Sequence, residues 1–452
     1  MTLSQIRTTL HKIHVSPVKT LGQNFLHDQN LARWIVDQAQ IIPGDFVLEI
    51  GPGLGALTQV LLERGARVLA IEKDRRLANF LRERLGCDQL EVLNGDALKF
   101  EFDVLFAHRE VKLLGNLPYN ISSALLSKFL RYPSPICLWL LTLQKEVAVR
   151  LSAKPATPEY GALTLRIQLR QRVKYLRTVP ATVFFPRPEV ESALVEILPR
   201  HPEELPPYDQ ELLLRLIRLG FSQRRKQLRK LLRENVDDWG AASQQVGVEV
   251  TARAEELSLT QWIALANFIA PTPRQDTSVA KDERFPVVDG NDQVVREASR
   301  SDVHGNNFRH RAVHILIFDS GGHVYLQQRS RWKDRHALKW DSSAAGHVSA
   351  GERYDETASR ELKEELGISV PLKRIVKLAA SERTDQEFIW LYRGELDGSL
   401  SPNRAEIETG AFFSETVIDA WSAARPEDFA PGFIECWRCY RGKNGSNRTL
   451  AT

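Results

Sequence analysis

The 452-residue sequence predicts an α/β protein in two parts: a doubly wound parallel sheet with a small helical domain, followed by a second α/β domain. Apolar runs typical of strands alternate with amphipathic helical segments over roughly the first 120 residues, which is the pattern of a parallel sheet. Residues 270–282 are rich in proline and polar residues and lack hydrophobic periodicity, which indicates a linker. Strand-like runs begin again near Glu283. We therefore expect domains at 1–200, 201–269 and 283–445, with a tail at 446–452.

The composition is that of an ordinary globular chain, with 43% hydrophobic and 26% charged residues. We expect a cytoplasmic protein, because there is neither a run of about 18 apolar residues nor a signal-peptide core. The four cysteines are too few and too scattered for a disulfide framework. The net charge of +4 divides into +6 for residues 1–272 and −2 for the rest, which favours a polyanion as the partner of the first part.

Three apolar runs, each followed by polar residues, predict the first sheet. The run Phe46–Ile50 leads into the glycine-rich turn Gly51-Pro-Gly-Leu-Gly55 and then into a helix. The next two runs end in Glu72 and Asp96. Because the carboxyl ends of parallel strands meet at one edge of a sheet, we expect these residues to surround one pocket.

The chemistry of these strand ends indicates a nucleoside cofactor. Glycines let a ligand approach the backbone closely, and the following helix presents its N-terminus. Glu72 lies about 20 residues beyond the glycines, which suits the two hydroxyls of a ribose. Asp96 is placed to accept a hydrogen bond from an adenine amino group. Each residue alone also fits an ordinary strand-end cap, but the combination favours a cofactor site.

A fourth strand, residues 111–114, is followed by Gly115-Asn-Leu-Pro-Tyr119. Pro118 has no amide hydrogen, and the carbonyl of Leu117 and the side-chain oxygen of Asn116 are two acceptors suited to both protons of an exocyclic amine. Holding both protons aims the nitrogen lone pair at an electrophile. Tyr119 offers a ring on which a base can stack. Taken alone, the stretch also fits a strand followed by a simple turn.

These motifs resemble the ribosomal RNA adenine N6-dimethyltransferases, most closely those that modify two adjacent adenosines near the 3′ end of 16S RNA. The resemblance covers about residues 15–270 in the correct order. It rests on Gly22-Gln-Asn-Phe-Leu26, Glu49-Ile-Gly-Pro-Gly-Leu-Gly55, Glu72-Lys-Asp74, Gly95-Asp-Ala97, Gly115-Asn-Leu-Pro-Tyr119, Val179-Pro-Ala-Thr-Val-Phe184-Phe-Pro186-Arg-Pro188-Glu-Val190-Glu-Ser192, Phe221-Ser-Gln-Arg-Arg-Lys226 and Arg253-Ala-Glu-Glu-Leu-Ser258.

The resemblance implies a Rossmann-like class I methyltransferase fold with S-adenosylmethionine as cofactor. Asn116 and the carbonyl of Leu117 would then hold the target amine, Pro118 would belong to the same catalytic group, and Tyr119 and Phe184 would sandwich the adenine. Catalysis would be mostly positioning, with no strong base, on a base that has left its stack. The cofactor site would be lined by Asn24, Leu26, Gly51, Glu72, Asp96 and Asn116.

Basic residues are expected to contact 16S rRNA in the small ribosomal subunit. Arg224, Arg225, Lys226 and Arg229 follow Ser222, where we predict a helix; there, spacings of three and four would place Arg225, Arg229 and Arg233 on one face. A second basic group is formed by Arg166, Arg170, Arg172, Lys174 and Arg177. A basic surface in contact with solvent is the alternative, but the resemblance requires an RNA partner. Glu189 stands where the family often has a basic residue, which puts one local RNA contact in doubt.

The second domain carries a cluster of acidic residues on a predicted helix. Glu361 and Glu365 are one turn apart and Glu364 is on the adjacent row, so their repulsion makes sense if Mg²⁺ or Mn²⁺ neutralises it. A solvated acidic helix is the alternative. However, the segment from Gly346 to Ile368 fits the Nudix box at every fixed position, so the domain resembles the Nudix hydrolases. This resemblance implies an α/β/α sandwich, metal binding by Glu361, Glu364 and Glu365, and activation of water at a diphosphate.

The domain looks like the Nudix branch that includes isopentenyl-diphosphate isomerases and their hydrolase-like relatives. Those isomerases use a cysteine just ahead of the box, where this chain has Ser342 and Ser343. We therefore expect hydrolysis of a nucleoside diphosphate derivative rather than isomerisation. Cys436 and Cys439 are expected to be ordinary buried thiols, and the residues after Tyr440 to be disordered.

Other classes of function remain open at this point. The first part could be a non-catalytic RNA-binding assembly factor or a methyltransferase of large-subunit 23S RNA. The second could be a sensor that binds a nucleotide without cleaving it.

Overall fold

The computed structural model of the chain describes residues 1–17, 22–118, 121–129, 133–271 and 283–448. Two compact units divide the chain, Met1–Pro271 and Thr272–Thr452. The predicted linker lies mostly outside the described residues. Within the described ranges, no helix has both the length and the apolar character needed to cross a membrane.

The front unit is built on a seven-stranded sheet. Its order is β4-β3-β2-β5-β6-β9-β7, with β9 antiparallel to both of its neighbours, β6 and β7, and β1 pairs with β8 in a separate two-stranded ladder. The strands are β1 Phe25–Leu26, β2 Phe46–Ile50, β3 Arg67–Glu72, β4 Leu90–Asn94, β5 Val111–Asn116, β6 Ile136–Gln144, β7 Gln171–Val179, β8 Phe184–Phe185 and β9 Ser192–Pro199. The predicted α/β fold class with a parallel sheet is confirmed.

Helices cover both faces of this sheet because its central strands are apolar on both sides. Val47 and Leu114 belong to one buried cluster, whereas their neighbours Leu48 and Leu113 belong to another. The helices are α1 Leu3–Lys12, α2 Gln29–Gln38, α3 Ala56–Glu63, α4 Arg75–Leu85, α5 Ser122–Phe129, α6 Lys145–Ser152, α7 Ala162–Gln168, α8 Gln210–Gly220, α9 Leu228–Leu231, α10 Trp239–Val246 and α11 Leu259–Ile269.

The helices from α8 onward surround a third buried cluster centred on Trp262. Here one local prediction is wrong: no helix begins after Ser222. Residues 223–226 form a turn, closed by the Lys226 amide on the Gln223 carbonyl, and α9 is a single turn. The Leu228 amide instead donates to the carbonyl of Ala252. This hydrogen bond to a residue distant in the sequence thus replaces the helical hydrogen bonds that would have put Arg225, Arg229 and Arg233 on one face.

The rear unit contains a mixed seven-stranded sheet in which the central strand β12 runs parallel to β17. The order is β14-β13-β12-β17-β16, with β15 paired to β12 and β18 to β13, and β10 and β11 form a separate hairpin. The strands are β10 Arg284–Val288, β11 Val294–Ser299, β12 His310–Phe318, β13 Val324–Arg329, β14 Trp340–Asp341, β15 Ala344–His347, β16 Lys373–Leu378, β17 Glu387–Glu395 and β18 Ile407–Phe413. The helices are α12 Arg300–Gly305, α13 Tyr354–Leu366, α14 Glu415–Ala424 and α15 Pro431–Arg448.

Helix α13 packs on the sheet through its apolar stripe. Leu362 and Leu366 are buried against Val313 and Ile315 of β12, which leaves the glutamates beside them at the edge of the sheet. At the C-terminus, α15 continues to Arg448, so the prediction of disorder after Tyr440 is wrong for the described part. Arg441 pairs with Glu415 and with Asp419 and anchors the extra turns.

Candidate active sites

A cavity lies at the carboxyl edge of the front sheet, where β2, β3, β4 and β5 end. All six residues expected to line a cofactor site border it, together with Pro118 of the expected catalytic group. The lining also includes three polar or charged residues that sequence reasoning gave no role: Gln23, Glu49 and Lys73. The convergence follows from the parallel pairing of the four strands.

The glycine-rich turn brings backbone close to the cavity. Gly53 has a φ of 58°, in the left-handed region, and a Cβ there would be 3.1 Å from the ring of Phe25. Gly55, also left-handed, begins α3, and a Cβ on it would be 2.7 Å from Leu81. Larger residues at these positions would therefore be strained and would push the cavity wall outward.

Glu72 is placed at the end of β3 with its carboxylate held by backbone amides. Gly53 donates to Oε2 at 3.0 Å and Asp74 donates to Oε1 at 2.9 Å. Burial raises the pKa of Glu72 above its ordinary value. The side chain thus links the glycine turn to the end of β3 and keeps further lone pairs for hydroxyl donors.

Asp96 follows β4 and is paired with Lys73. The Lys73 ammonium lies 2.8 Å from Oδ2, and the Leu98 amide donates to Oδ1 at 3.0 Å. The hydrogen bond from Lys73 holds the pKa of Asp96 below its usual range. Asp96 is therefore an ionised acceptor, as an adenine amino group requires.

Asn116 is the last residue of β5, and its side chain is oriented by a bond across the cavity. Its Nδ2 donates to the carbonyl of Asn24 at 3.0 Å. Among the described residues, its Oδ1 has no hydrogen-bond partner, so the oxygen remains available as an acceptor. Pro118 approaches the glycine turn, since a Cβ on Gly51 would be 3.7 Å from Pro118 Cδ.

The expected adenine sandwich is described only in part. Tyr119 lies outside the described residues. Phe184 is 4% exposed and packs in the main core cluster beside the ladder of β8 with β1. A base that stacks on Phe184 must therefore uncover it first, and the roles of both rings stay predictions.

Glu49 is a residue that sequence reasoning passed over. It is 1% exposed at the end of β2 and lines the cavity, and its Oε2 has no hydrogen-bond partner in the described part of the chain. Burial raises the pKa of Glu49 to about 7. The signal in the sequence was an ionisable residue inside an otherwise apolar strand.

The residues expected to contact RNA are exposed. Arg224, Arg225 and Lys226 lie in the turn after α8, and Arg229 lies on α9. Arg224 also reaches the carbonyl of Pro158. The group is therefore a basic loop rather than a helix face.

In the rear unit, α13 presents its glutamates to a cavity of about 720 Å³, a volume usual for small-molecule sites. Glu365 is buried and the side chain of Glu361 is 13% exposed, whereas that of Glu364 is 56% exposed. Glu361 lies directly against Gly346, where a Cβ would be 2.1 Å from its carboxyl carbon, so a larger residue there would displace the carboxylate. Glu365 Oε2 accepts from Gln327 at 2.9 Å and from the Ala345 amide at 3.1 Å.

The electrostatics of this cluster favour a cation. Burial, and then the charge of Glu365, raise the pKa of Glu361, and burial raises that of Glu365. Arg360 neutralises part of the charge through bonds to Glu352 at 2.9 Å, Glu361 at 2.8 Å and Glu364 at 3.0 Å. The remaining hard carboxylate oxygens suit Mg²⁺ or Mn²⁺.

Two further charged residues in this cavity were not predicted. Lys333 pairs with Glu406, and its ammonium lies 3.9 Å from Glu365 Oε1. Both residues line the cavity but lie outside the acidic helix, so no local motif marks them. The two C-terminal cysteines do not reach it: Cys436 is buried and Cys439 is half-buried on α15.

In comparisons with known proteins, the front and rear units of the chain match two different family models. The family model described as ribosomal RNA adenine dimethylase matches residues 16–271, and the model described as NUDIX domain matches residues 308–432. The chain is 44% identical over 254 residues to "Ribosomal RNA small subunit methyltransferase A" of Prosthecochloris aestuarii, which covers 56% of this chain and 94% of the relative.

The homologue of the same description from Aromatoleum aromaticum is 41% identical over 252 residues, or 56% of this chain and 94% of the relative. Among solved structures, a dimethyladenosine transferase from Plasmodium falciparum is 27% identical, with a TM-score of 0.45, over 53% of this chain and 95% of that one.

The buried carboxyl of Glu49 makes a prediction about stability. In the folded protein the pKa of Glu49 is about 7, against 4.5 for an exposed glutamate. Between these pH values the folded state binds more protons than the unfolded state, so the protein loses stability as the pH rises through this range. Glu49→Gln removes this dependence and should gain up to about 3 kcal/mol over the wild type above pH 7. Hydrogen exchange of peptides from residues 46–72 in the full chain measures it. The exposed Glu63→Gln is the control, and identical pH profiles for Glu49→Gln and wild type would contradict the assignment.

Proposed function

Because the chain belongs to the ribosomal RNA adenine dimethylase family, we propose that it transfers methyl groups to the N6 amines of two adjacent adenosines near the 3′ end of 16S rRNA. The observation that carries the proposal is the position of Asn116: it lines the cavity that Glu72 and Asp96 also line, and its Nδ2 is held by the Asn24 carbonyl, which leaves Oδ1 as the side-chain acceptor. S-adenosylmethionine, when bound there, supplies the electrophilic methyl group.

The residues of the chain fit that cofactor. Glu72 offers carboxylate lone pairs to ribose hydroxyls, and Asp96, kept ionised by Lys73, offers an acceptor to the adenine amine. The glycine turn gives the close backbone approach that a nucleoside needs. We expect Asn24, Leu26 and Gly51 to complete the site.

The proposed mechanism is one of positioning. Asn116 Oδ1 and the Leu117 carbonyl each accept one proton of the target amine, which leaves the nitrogen lone pair directed into the cavity. Tyr119 and Phe184 hold the base between their rings. After transfer, the nitrogen loses a proton to water; the secondary amine keeps one N–H and can return for a second round.

The substrate is proposed to be the small-subunit RNA within a ribosomal particle, approached through the basic loop of Arg224, Arg225, Lys226 and Arg229. The direct experiment incubates the protein with S-adenosylmethionine and small subunits that lack the modification, and maps methylated nucleotides. Two adjacent dimethyladenosines near the 3′ end support the proposal. Methylation of large-subunit RNA, or RNA binding without methyl transfer, would overturn it.

Asn116→Ala tests the positioning of the amine. Loss of the acceptor should lower kcat for transfer of labelled methyl groups by about 10²-fold, because hydrogen bonds to the reacting centre are usually worth this much. The dissociation constant for S-adenosylmethionine should change far less. Asn79→Ala, on the exposed side of α4, is the matched control. Full activity in Asn116→Ala would contradict the assigned role.

The basic loop makes a separate prediction. Replacing Arg224, Arg225 and Lys226 together by alanine should weaken RNA binding. It should also reduce the steepness of log affinity against log salt by about 2, because fewer phosphates are neutralised and fewer counterions are released on binding. Filter binding to 16S rRNA at several salt concentrations measures it. Arg383→Ala, an exposed arginine of the rear unit, serves as control. An unchanged slope would remove the loop from the interface.

The rear unit contains a NUDIX domain. We propose that it is a Mg²⁺-dependent pyrophosphohydrolase of a nucleoside diphosphate derivative, with Glu361, Glu364 and Glu365 as metal ligands. The support is a pair of glutamates on α13, Glu365 buried and Glu361 mostly buried, whose removal from water is costly unless a cation or a proton neutralises them. A divalent ion at this position would activate water and bind diphosphate oxygens.

Glu365→Gln tests this proposal. It keeps the shape of the side chain but removes a charged ligand, so Mg²⁺-dependent phosphate release from a panel of nucleoside diphosphate derivatives should fall by about 10²-fold or more. Glu382→Gln, in the exposed turn before β17, is the control. If the wild type binds such compounds but never releases phosphate, the domain is a sensor and the hydrolase proposal fails.

A further inference from the structure

A histidine lies in the middle of the central strand of the rear sheet, among apolar residues. His314 of β12 stands between Val313 and Ile315, which pack against α13. Because successive side chains of a strand point to opposite faces, His314 faces the other side of the sheet. It is 5% exposed and lines the cavity that Glu361 and Glu365 also line.

One ring nitrogen of His314 is held by a chain of buried polar groups. Nδ1 lies 2.8 Å from Ser342 Oγ and 3.6 Å from Asp341 Oδ1. The Asp341 carboxylate accepts from the Ser342 amide at 2.8 Å and from the Arg329 guanidinium at 2.9 Å. A carboxylate on this side of the ring favours a proton on Nδ1, so the neutral imidazole carries its lone pair on Nε2.

The other ring nitrogen, Nε2, has no hydrogen-bond partner among the described residues. A Cβ added to Gly432, at the start of α15, would be 3.4 Å from this atom, and Gly432 lines the same cavity. The Nε2 edge of the ring therefore lies at the cavity wall. Buried polar atoms usually have partners, so an acceptor left open here indicates a ligand that donates a hydrogen bond.

The polar chain behind the ring is not needed for packing. Asp341 and Ser342 are fully buried, and burial of such groups is costly unless each of them is hydrogen-bonded. An apolar residue at position 314 would pack on the sheet without them. What the chain does is orient the imidazole and select its tautomer, as partners of functional histidines do.

The surroundings of Nε2 leave room for part of a ligand. Small residues form this side of the cavity, namely Ala312, Ala345, Ala430 and Gly432. Ala345 is the cross-strand partner of His314, and its amide donates to Glu365 Oε2 at 3.1 Å. The open acceptor and the proposed cation site thus belong to adjoining parts of one cavity, which a nucleotide-sized molecule can span.

We propose that His314 determines specificity in the rear unit: its Nε2 accepts a hydrogen bond from an N–H or O–H group in the organic part of the diphosphate substrate. The proposal rests on the proposed hydrolase function and narrows its substrate class. A nucleobase or a sugar carries such donors, whereas the hydrocarbon part of a prenyl diphosphate has none. A buried acceptor discriminates against ligands without a donor, because it loses water and gains no partner.

The first test compares ligands on the full-length wild-type protein. The panel contains adenosine and uridine diphosphate sugars, the same compounds methylated at the base N–H groups, their 2′-deoxy counterparts, and geranyl diphosphate. We expect the nucleotides to bind more tightly than geranyl diphosphate. One of the two modifications should weaken binding about tenfold or more, which identifies the base or the ribose as the donor.

The second test removes the acceptor. His314→Leu should raise KM for the preferred compound about tenfold or more with little change in kcat, and should bind the modified compound as well as its parent. His314→Gln keeps an acceptor and should recover part of the selectivity. His323→Leu, at an exposed histidine in the turn after β12, is the control and should behave like the wild type.

Ser342→Ala provides a milder variant, because it removes the partner of Nδ1 and leaves the ring in place. It should reduce the same selectivity, and circular dichroism checks that each variant folds. Calorimetry in a Glu365→Gln background measures binding without turnover, so the ligand preference is tested even if the wild type never releases phosphate and the hydrolase proposal fails. Unchanged selectivity in His314→Leu, a preference for geranyl diphosphate, or no binding of any panel compound would overturn the proposal.

Discussion

The hydrogen bond from the Asn116 amide to the carbonyl of Asn24 is the contact on which the proposed chemistry of the front unit depends. Because Nδ2 is engaged there, Oδ1 is the side-chain atom left to accept from the amine in the proposed mechanism. Asn24 is in turn held by its chain neighbours in β1, whose ladder with β8 ends in Phe184. One bond thus connects the cofactor cavity, the amine acceptor and the ring expected to stack on the base.

Both units place carboxylates in cavities where burial opposes their charge. In the front unit, backbone amides satisfy Glu72, whereas Glu49 has a raised pKa and an oxygen that finds no hydrogen-bond partner among the described residues. In the rear unit, Glu361 and Glu365 repel each other; Arg360 pairs with Glu361, and the Lys333 ammonium lies near Glu365. Such arrangements lower the stability of the free protein and are typical of sites where a bound ligand compensates the buried charge.

The sequence predicted the α/β fold class and the strand ends because both follow from local periodicity and from the shared carboxyl edge of parallel strands. The sequence-based predictions were wrong where contacts with a distant segment determine the local structure. The Leu228 amide binds the Ala252 carbonyl in place of the helix expected after Ser222. Arg441 pairs with two acidic residues of α14, which stabilises the last turns of α15. Sequence reasoning also missed Lys333 and Glu406, since both lie outside the acidic helix and no local motif marks them.

In the proposed mechanism, Asn116 directs a target amine toward S-adenosylmethionine bound in the front cavity. A crystal structure of the protein with this cofactor is the decisive experiment. We expect the ribose at Glu72, the adenine at Asp96, and the methyl group facing the side between Asn116 Oδ1 and the Leu117 carbonyl. A cofactor bound elsewhere, or an Asn116 amide that turns its nitrogen toward the methyl group, would contradict it.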